Sequence, residues 1–513
     1  MMMPYFEDRN IKLFHGNSLN VLRELPERSV QCVVTSPPYF GLRQYSTVRW
    51  IGGDPYCDHV ADPSATKKFG NHEFNENRPS REATKMPGYY ADVCPKCGAQ
   101  KIDEQLGNEE TLDEYVSNLV AIFREVKRVL RDDGIVLLNL GDSFAGSGKG
   151  VMGDGTIVGG EKQKTNYGTM VGGIKHYYVQ DGLKNKDLML VPFRCAMAMQ
   201  SDGWYLRNAI PWIKRNPMPG SQQDRPTTST EYIFLLAKSE HYFFDMEAVK
   251  RPTAAASVAR AKRAVGTSHK NLNGAPGQTP HTLAQPREHG AGEADSMRAL
   301  REYDFFFDSL QYILDVGQGM LCDDDLLALV VNVKGYKGSH YATFPELLAE
   351  TCIKAGVSAV GGCPKCGAPW ERVLEKTPAT SKKCPKTDAL YQAQGGSGEK
   401  ITGTIGMSGG GRVDGTSITI SWRPTCNCNP EWRDLDYLAL DKVQALLLSD
   451  DEFKPVPQVV LDPFNGAGTT GLAALGLQHE YWGIDLSADY LDQSIKRLRK
   501  AIDERPLMNT GIY

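Results

Sequence analysis

The period of the apolar positions changes several times along the chain, and each change marks an element. Ile11-Lys12-Leu13-Phe14 is a short apolar run, after which Gly16-Asn17-Ser18 supplies a turn and a helix cap. Leu19, Leu22 and Leu25 then fall at helical spacing until Pro26 stops the helix. Val30 to Val34 is a β-branched run that ends at Thr35-Ser36-Pro37-Pro38-Tyr39. Two adjacent prolines cannot continue a central strand, so this motif sits at the strand's carboxyl end. Leu112, Tyr115, Val116, Leu119, Val120, Phe123, Val126 and Leu130 make one apolar face of a helix. Asp132-Asp133-Gly134 is expected to end that helix before a buried strand at Ile135-Val136-Leu137-Leu138. A helix near 187–200 and strands around 204–214 and 232–237 follow. The last periodic segment reads strand, glycine-rich turn, helix, strand: 459–462, 466–471, 472–475 and 481–485. Strands alternating with helices predict a doubly wound α/β sheet.

Four stretches break this pattern. Residues from about 50 to 108 are polar and carry Cys57, His59, Cys94 and Cys97, as an insertion would. Residues 145–182 are glycine-rich and read as a loop, 250–300 show little periodicity, and 376–416 are polar and glycine-rich between two cysteine clusters. A length of 513 residues exceeds one compact domain, so a core with added modules is expected. With 41% hydrophobic and 23% charged residues the composition is that of a soluble globular protein. No apolar run reaches the roughly 18–20 residues that cross a bilayer, and the start MMMPYFEDRN lacks the marks of a signal peptide. The expectation is a cytoplasmic protein with no membrane partner. A net charge of -4 offers no overall basic footprint for nucleic acid, although a local basic cleft is compatible with it. Twelve cysteines in such a compartment point to metal rather than disulfides.

Asp462-Pro463-Phe464-Asn465-Gly466-Ala467-Gly468-Thr469-Thr470-Gly471 follows one predicted strand and opens a helix. Gly466 and Gly468 let the backbone approach a ligand, and a helix amino terminus favours negative charge. Asp485, ending the next strand, is placed to accept both hydroxyls of a ribose. The motif predicts nucleotide or nucleoside binding without saying which, since Gly466, Gly468 and Gly471 also match the pattern of dinucleotide enzymes. A dehydrogenase normally starts with this turn; here it comes late, and the chain after it holds little more than one strand–helix–strand unit, so the order is permuted.

Thr35-Ser36-Pro37-Pro38-Tyr39 suits a different task. An exocyclic amino nitrogen is a poor nucleophile because its lone pair is delocalised into the ring. The Ser36 hydroxyl and the Pro37 carbonyl can accept hydrogen bonds from such an NH2 group, Pro38 stiffens the turn, and Tyr39 offers a flat face to a base drawn from the duplex. Methyl transfer is then an in-line displacement at sulfonium, accelerated by orientation, with no covalent intermediate. A proline-stiffened loop with Tyr39 in the core is the plain alternative for this motif alone.

Cys94-Pro95-Lys96-Cys97-Gly98 and Cys363-Pro364-Lys365-Cys366-Gly367 are nearly identical knuckles. Cys57 and His59 complete the first, and Cys426 and Cys428 the second, giving two candidate structural zinc sites with four protein ligands each. Cys384 is an alternative ligand for the second. Cys32, Cys195, Cys322 and Cys352 lie in apolar segments and read as core residues.

The Ser-Pro-Pro-Tyr element, followed far downstream by the Asp462–Thr469 motif, resembles the beta class of S-adenosylmethionine-dependent DNA amino-methyltransferases, in which the catalytic motif precedes the cofactor motif. Leu140-Gly141-Asp142-Ser143 resembles the family's motif beside the catalytic loop. Trp204-Tyr205-Leu206-Arg207-Asn208 with Trp212, Lys214, Asn216 and Pro217 resembles the motif flanking the flipped base. His340-Tyr341-Ala342-Thr343-Phe344-Pro345-Glu346 resembles the cofactor-cradling helix start. The chain departs from the family at Gly16-Asn17, where Gly-Asp is usual; Asn17 can still accept from an adenine amino group.

The resemblance implies a Rossmann-like methyltransferase sheet with circularly permuted motif order, to which the cysteine knuckles add zinc-binding insertions and the aperiodic stretch a candidate target-recognition region. It implies catalysis by Ser36, Pro37, Pro38 and Tyr39. Cofactor contacts are expected from Asn17, Thr35, His340, Thr343, Phe344, Glu346, Asp462, Phe464, Asn465, Gly466, Gly468, Thr469 and Asp485. Double-stranded DNA is the expected partner, and a homodimer is a family expectation. Core segments are assigned to 1–54, 111–249 and 431–513, zinc-binding insertions to 55–110 and 361–430, target recognition to 250–330, and a cofactor-cradling segment to 331–360. Arg251, Arg260, Lys262, Arg263 and Lys270 are candidate phosphate contacts, although a charge run of this kind is more often a solvated face. Ser-Pro-Pro-Tyr is commoner among cytosine-N4 enzymes, which slightly favours cytosine over adenine N6. Cytosine-C5 chemistry needs a cysteine after a proline, and no Pro-Cys pair occurs. The alternatives are an RNA or protein-amide methyltransferase, a zinc-ribbon nucleic-acid-binding protein without catalysis, and a nicotinamide dehydrogenase, which would carry the glycine motif without Ser-Pro-Pro-Tyr.

Overall fold

The computed structural model describes residues 3–41, 49–54, 56–57, 93–94, 96–102, 104–109, 111–145, 182–184, 186–214, 224–249, 251–252, 297–298, 345–376, 417–432 and 437–504. In chain order the elements are β1 (Phe6–Asp8), β2 (Ile11–His15), α1 (Ser18–Glu24), β3 (Val30–Thr35), β4 (Arg49–Ile51), β5 (Gln100–Ile102), α2 (Leu112–Val129) and β6 (Leu130–Leu140). There follow α3 (Val191–Ser201), β7 (Tyr205–Ile213), β8 (Thr230–Ala237), and the two-residue pair β9 (Arg251–Pro252) and β10 (Met297–Arg298). The last are α4 (Glu346–Gly356), β11 (Trp370–Lys376), β12 (Ser417–Pro424), α5 (Leu440–Leu448), β13 (Val459–Asp462), α6 (Thr469–Gly476), β14 (Glu480–Asp485) and α7 (Ala488–Glu504).

Eight strands form the main sheet in the order β1-β2-β14-β13-β3-β6-β8-β7. From β2 to β6 the neighbours are all parallel, and β1, β8 and β7 join antiparallel to their neighbours at the two edges. Parallel strands buried on both faces read as continuous apolar runs, as Val30–Thr35 does: all six residues are buried. Alternate residues serve opposite cores. Val33, Val136 and Leu138 pack under α1, α2 and α3 with Leu22, Tyr115, Phe123 and Met199. Cys32, Val34, Ile135 and Leu137 pack under α4, α6 and α7 with Leu348, Cys352, Ala473 and Leu491. The result is a helix–sheet–helix sandwich with a large, mostly parallel sheet.

The helix over 112–129 has the physical marks of its sequence. Thr111 Oγ1 accepts from the Glu114 N–H at 3.1 Å while Glu114 Oε2 accepts from the Thr111 N–H at 3.1 Å, a reciprocal cap. Its end differs from expectation. The helix stops at Val129, and Leu130 already pairs with Val30, so Asp132-Asp133-Gly134 lies inside β6 rather than before it. The register shifts there, from Val30↔Leu130 to Cys32↔Ile135, as a bulge. The bulge is held by Arg131 on Asp133 (2.9 Å) and Lys238 on Asp132 (2.9 Å). The α3 helix also starts later than expected, at Val191, because Leu190 adopts a left-handed conformation (φ 56°) and Pro192 occupies the first turn.

A second, smaller core joins Val360, Trp370, Trp422, Leu438 and Val443, between the β11–β12 hairpin and α5. This module docks against the amino-terminal end of β3. Gln458 Nε2 donates to Gln31 Oε1 (3.0 Å) and to the Gly367 carbonyl (3.3 Å), and Arg131 donates to the Cys366 carbonyl. No helix among the described residues is long and apolar enough to cross a membrane. The candidate target-recognition region lies outside the described residues apart from the backbone of β9 and β10, and so do His59, Cys322, His340, Thr343, Phe344 and Cys384.

Candidate functional site

Ser36, Pro37, Pro38 and Tyr39 leave the carboxyl end of β3, and Asp462-Pro463-Phe464 leaves the carboxyl end of the neighbouring β13. Two residues stitch these ends together. Thr35 Oγ1 donates to Asp462 Oδ1 at 2.6 Å, and Thr470 Oγ1 donates to Asp462 Oδ2 at 2.8 Å. Asp462 Oδ1 also accepts the Phe464 N–H at 3.0 Å, which bends the chain into the turn. Burial pushes the Asp462 carboxyl up to about 6, against those hydrogen bonds. Two motifs 427 residues apart thus open onto one crevice, at the strand ends where α/β sheets place their ligands.

The glycine turn is braced from behind. Asn465 donates from its backbone to the Ile484 carbonyl at 2.8 Å, and its Oδ1 accepts from Tyr481 OH at 2.8 Å. Gly466 (φ 50°) and Gly468 (φ 73°) are left-handed, and a Cβ on Gly468 would lie 2.2 Å from Ser494 Oγ. Only glycine fits against α7 at that point. Asp485, at the end of β14, accepts the Gly466 N–H at 2.7 Å through Oδ2 and the Ser487 N–H at 2.8 Å through Oδ1. The Leu486 N–H also hydrogen-bonds the carboxylate, which still keeps acceptor capacity to spare, and the residue is partly exposed. Burial of the carboxyl raises it to about 6, with the charge of Asp462 adding to the effect.

Asn17 caps α1 at the end of β2, its Oδ1 accepting from the Leu19 N–H at 3.0 Å. Ser18 Oγ donates to the Pro463 carbonyl at 2.6 Å, so this helix start borders the glycine turn. Thr469 begins α6, and Glu346 begins α4, which packs beside α6 in the same core. Asn17, Thr35, Asp462, Phe464, Gly466, Gly468, Thr469 and Asp485 therefore line or brace the carboxyl edge of four adjacent strands. Asn465 braces it from inside.

Ser36 and Tyr39 are both partly exposed, whereas Pro37 is buried. The Pro38 carbonyl accepts from Tyr115 OH at 3.0 Å, which ties the motif to α2. Ser36 Oγ lies 3.2 Å from Tyr39 OH, and Tyr39 OH donates to Glu231 Oε2 at 2.7 Å. Asn139 Nδ2 reaches Tyr39 OH (2.8 Å), Glu231 Oε2 (3.0 Å) and Ser36 Oγ (3.2 Å), and Lys214 pairs with Glu231 Oε1. Lys214 belongs to a motif singled out in the sequence; Asn139 and Glu231 were missed there. A signal existed for Asn139, a lone amide inside the apolar run Ile135–Leu140 that is only 4% exposed. Asp142, next along, accepts the Ser143 and Val191 N–H groups at 2.8 and 3.0 Å, fixing the start of α3. Its burial raises the carboxyl above the usual range.

Away from the crevice, the Sγ atoms of Cys363, Cys366, Cys426 and Cys428 all lie within 4.8 Å of one another, as do those of Cys57, Cys94 and Cys97. Tetrahedral zinc with bonds of about 2.3 Å places sulfurs about 3.8 Å apart, and Cys57 and Cys94 are 3.8 Å apart. Burial raises the Cys363 thiol, but the backbone N–H groups of Cys366 and Lys365 and the neighbouring thiols outweigh it and lower it overall. Gly98 and Gly367 close the two knuckles with left-handed φ values of 75° and 74°.

Known proteins resemble this chain. The N6_N4_Mtase family, described as DNA methylase, matches residues 30–359 and 451–496. The type II methyltransferase M.XycI of Xanthomonas campestris pv. cyanopsidis is 35% identical over 286 residues, covering 56% of this chain and 74% of that protein. M.Cfr9I of Citrobacter freundii is 36% identical over 238 residues, 46% of this chain and 58% of its own length. Among solved structures, PvuII DNA methyltransferase (cytosine-N4-specific) aligns with 98% of this chain and 93% of its own at 13% identity and a TM-score of 0.38, a likeness too remote to bear on the chemistry.

Proposed function

The chain belongs to the DNA methylase family of S-adenosylmethionine-dependent amino-methyltransferases, and from that membership we propose that it methylates the exocyclic amino nitrogen of a base turned out of double-stranded DNA, cytosine N4 in preference to adenine N6. The observation that carries this reading is the Thr35–Asp462 hydrogen bond of 2.6 Å, which sets the Ser-Pro-Pro-Tyr turn beside the glycine turn. S-adenosylmethionine supplies the methyl group.

The residues divide the work by position. Asp485 accepts the ribose hydroxyls through its spare lone pairs, Asn17 borders the adenine, and Gly466, Gly468 and the start of α6 admit the cofactor's chain closely. Phe464, Asn465, Asp462, Thr35 and Thr469 hold that cradle in shape. His340, Thr343, Phe344 and Glu346 are assigned to cofactor binding. Ser36 Oγ and the Pro37 carbonyl accept from the amino group and hold its lone pair towards the sulfonium methyl, while Pro38 and Tyr39 support the base. Serine at position 36 favours cytosine, on the family correlation alone.

The same reading gives the rest of the chain its organisation. Segments 1–54, 111–249 and 431–513 form the core in circularly permuted motif order, with 331–360 as the cofactor-cradling segment. Segments 55–110 and 361–430 are zinc-binding insertions. Cys363, Cys366, Cys426 and Cys428 hold one ion, and Cys57, Cys94 and Cys97 with His59 hold the other. Residues 250–330 are left for reading the DNA sequence.

Nucleoside mass spectrometry of DNA incubated with the protein and methyl-labelled S-adenosylmethionine tests the reaction. Labelled N4-methylcytosine is expected; labelled N6-methyladenine would reverse the base preference. An unlabelled DNA pool of varied sequence, with cofactor binding intact, would sink the DNA reading in favour of RNA or a protein amide.

A further inference from the structure

The polar cluster under the Ser-Pro-Pro-Tyr turn is larger than that motif, and its hydrogen positions follow from valence. A carboxylate only accepts, so the 2.7 Å contact between Tyr39 OH and Glu231 Oε2 commits the single phenolic proton to Glu231. The 3.2 Å contact between Ser36 Oγ and Tyr39 OH must then be donated by Ser36. Asn139 offers only its amide N–H groups to Tyr39, Glu231 and Ser36, since Glu231 cannot donate back. The hydrogens therefore point one way, from Ser36 to Tyr39 to Glu231. Ser36 is left with an acceptor lone pair at the partly exposed end of the chain of bonds.

Other features preserve this line. Lys214 pairs with Glu231 Oε1, which leaves Oε2 facing Tyr39. Asn139 and Glu231 come from the paired strands β6 and β8, so sheet hydrogen bonds fix their separation. A Cβ on Gly141 would lie 2.6 Å from the Tyr39 ring and 3.3 Å from Glu231 Oε1, so the lack of a side chain at Gly141 lets the Tyr39 ring pack against the backbone there.

We propose that Glu231 is the terminal proton acceptor of methyl transfer, reached through Ser36 and Tyr39 and held in line by Asn139 and Lys214. The proposal rests on the amino-methylation reading. As the bond from the amino nitrogen to the methyl carbon forms, the carbon–sulfur bond breaks and its electron pair stays on sulfur. The alkylated nitrogen then passes a proton to Ser36 Oγ, the serine proton moves to the Tyr39 oxygen, and the tyrosine proton moves to Glu231 Oε2. A sulfonium, a carboxylate and an amine become a thioether, a carboxylic acid and a methylated amine, so charge and atoms balance. Glu231 touches no substrate; it acts through the two hydroxyls.

Glu231→Gln keeps the volume and removes the acceptor. In single-turnover assays on the full chain it is expected to slow methyl transfer by about 10²-fold, the usual reach of general base catalysis. The Kd values for S-adenosylmethionine and DNA should stay within about threefold of wild type, a split that loss of structure would not give. Tyr39→Phe breaks the same line at its middle and should cost a similar factor. Because both act in one relay, the double variant should be no slower than the slower single variant. A Glu231→Gln chain at the wild-type rate, losses that multiply in the double variant, or a rate loss matched by lost affinity overturns the relay. A wild-type chain that labels no amino nitrogen in DNA overturns the methylation reading instead.

Discussion

Asp485 shows how one residue can hold a loop and still await a ligand. Its two oxygens fix the Gly466 and Ser487 N–H groups, and burial raises its carboxyl to about 6, close to that of the equally raised Asp462 behind it. Only the ionised form is a strong acceptor for ribose hydroxyls, so cofactor affinity should be present above pH 6 and fall as pH drops through it. Calorimetric titration between pH 7 and pH 5 is expected to show Kd for S-adenosylmethionine rising by up to about tenfold, one pKa unit's worth, with Asp485→Asn giving a weak and flatter profile. The same Kd at both pH values would take Asp485 out of the ribose contact. At this scale the sequence was legible where chemistry breaks a pattern. Two prolines after a β-branched run exposed Ser36 and Tyr39, and two glycines before a helix exposed the cradle. Glu231 was not legible, because a charge at the start of an apolar strand looks like an ordinary solvated end until β6 brings Asn139 beside it.

Among the elements, the β11–β12 hairpin is the one whose stability is least its own. Its core is small, built around Trp370 and Trp422, and its cysteine knuckle is joined to the sheet through Gln458 and Arg131. Below a few tens of residues a core of this size needs a staple, and metal is the usual one. Elemental analysis is expected to find about two zinc ions per chain, one per cysteine cluster. Chelation should shift tryptophan fluorescence to the red as the small core opens, and a chain with no bound metal would refute both sites. The body of the helix over 112–129 was legible from its apolar period, although its Thr111–Glu114 cap and its end at Val129 were not. The start of β6 was not. Asp132-Asp133-Gly134 looks like a helix stop in sequence, but the sheet absorbs it as a bulge because Arg131 and Lys238 neutralise both acids there.

For the whole molecule, the decisive contacts join distant stretches. The late strands β13 and β14 insert between β3 and β2, so the sheet has a two-strand gap until they arrive. A chain ending at residue 450 is expected to expose the apolar edges of β2 and β3, bind a hydrophobic dye and lose cofactor affinity; a soluble, protease-resistant truncation would show that the early strands close on themselves. Strand order was the part of the fold that sequence could not give, because periodicity marks what a segment is and not which neighbour it finds. The glycine motif's late position hinted at the arrangement without fixing it. That arrangement also sets a timetable. Ribosomes add roughly 5–20 residues each second, so Thr35 emerges tens of seconds before the Asp462 that it bonds 427 residues later. Through that interval the nascent chain carries a finished Ser-Pro-Pro-Tyr segment beside an unpaired apolar edge. A prolonged exposed edge of this kind is prone to aggregation, and a stalled ribosome yields a fragment that lacks the glycine-turn half of the crevice.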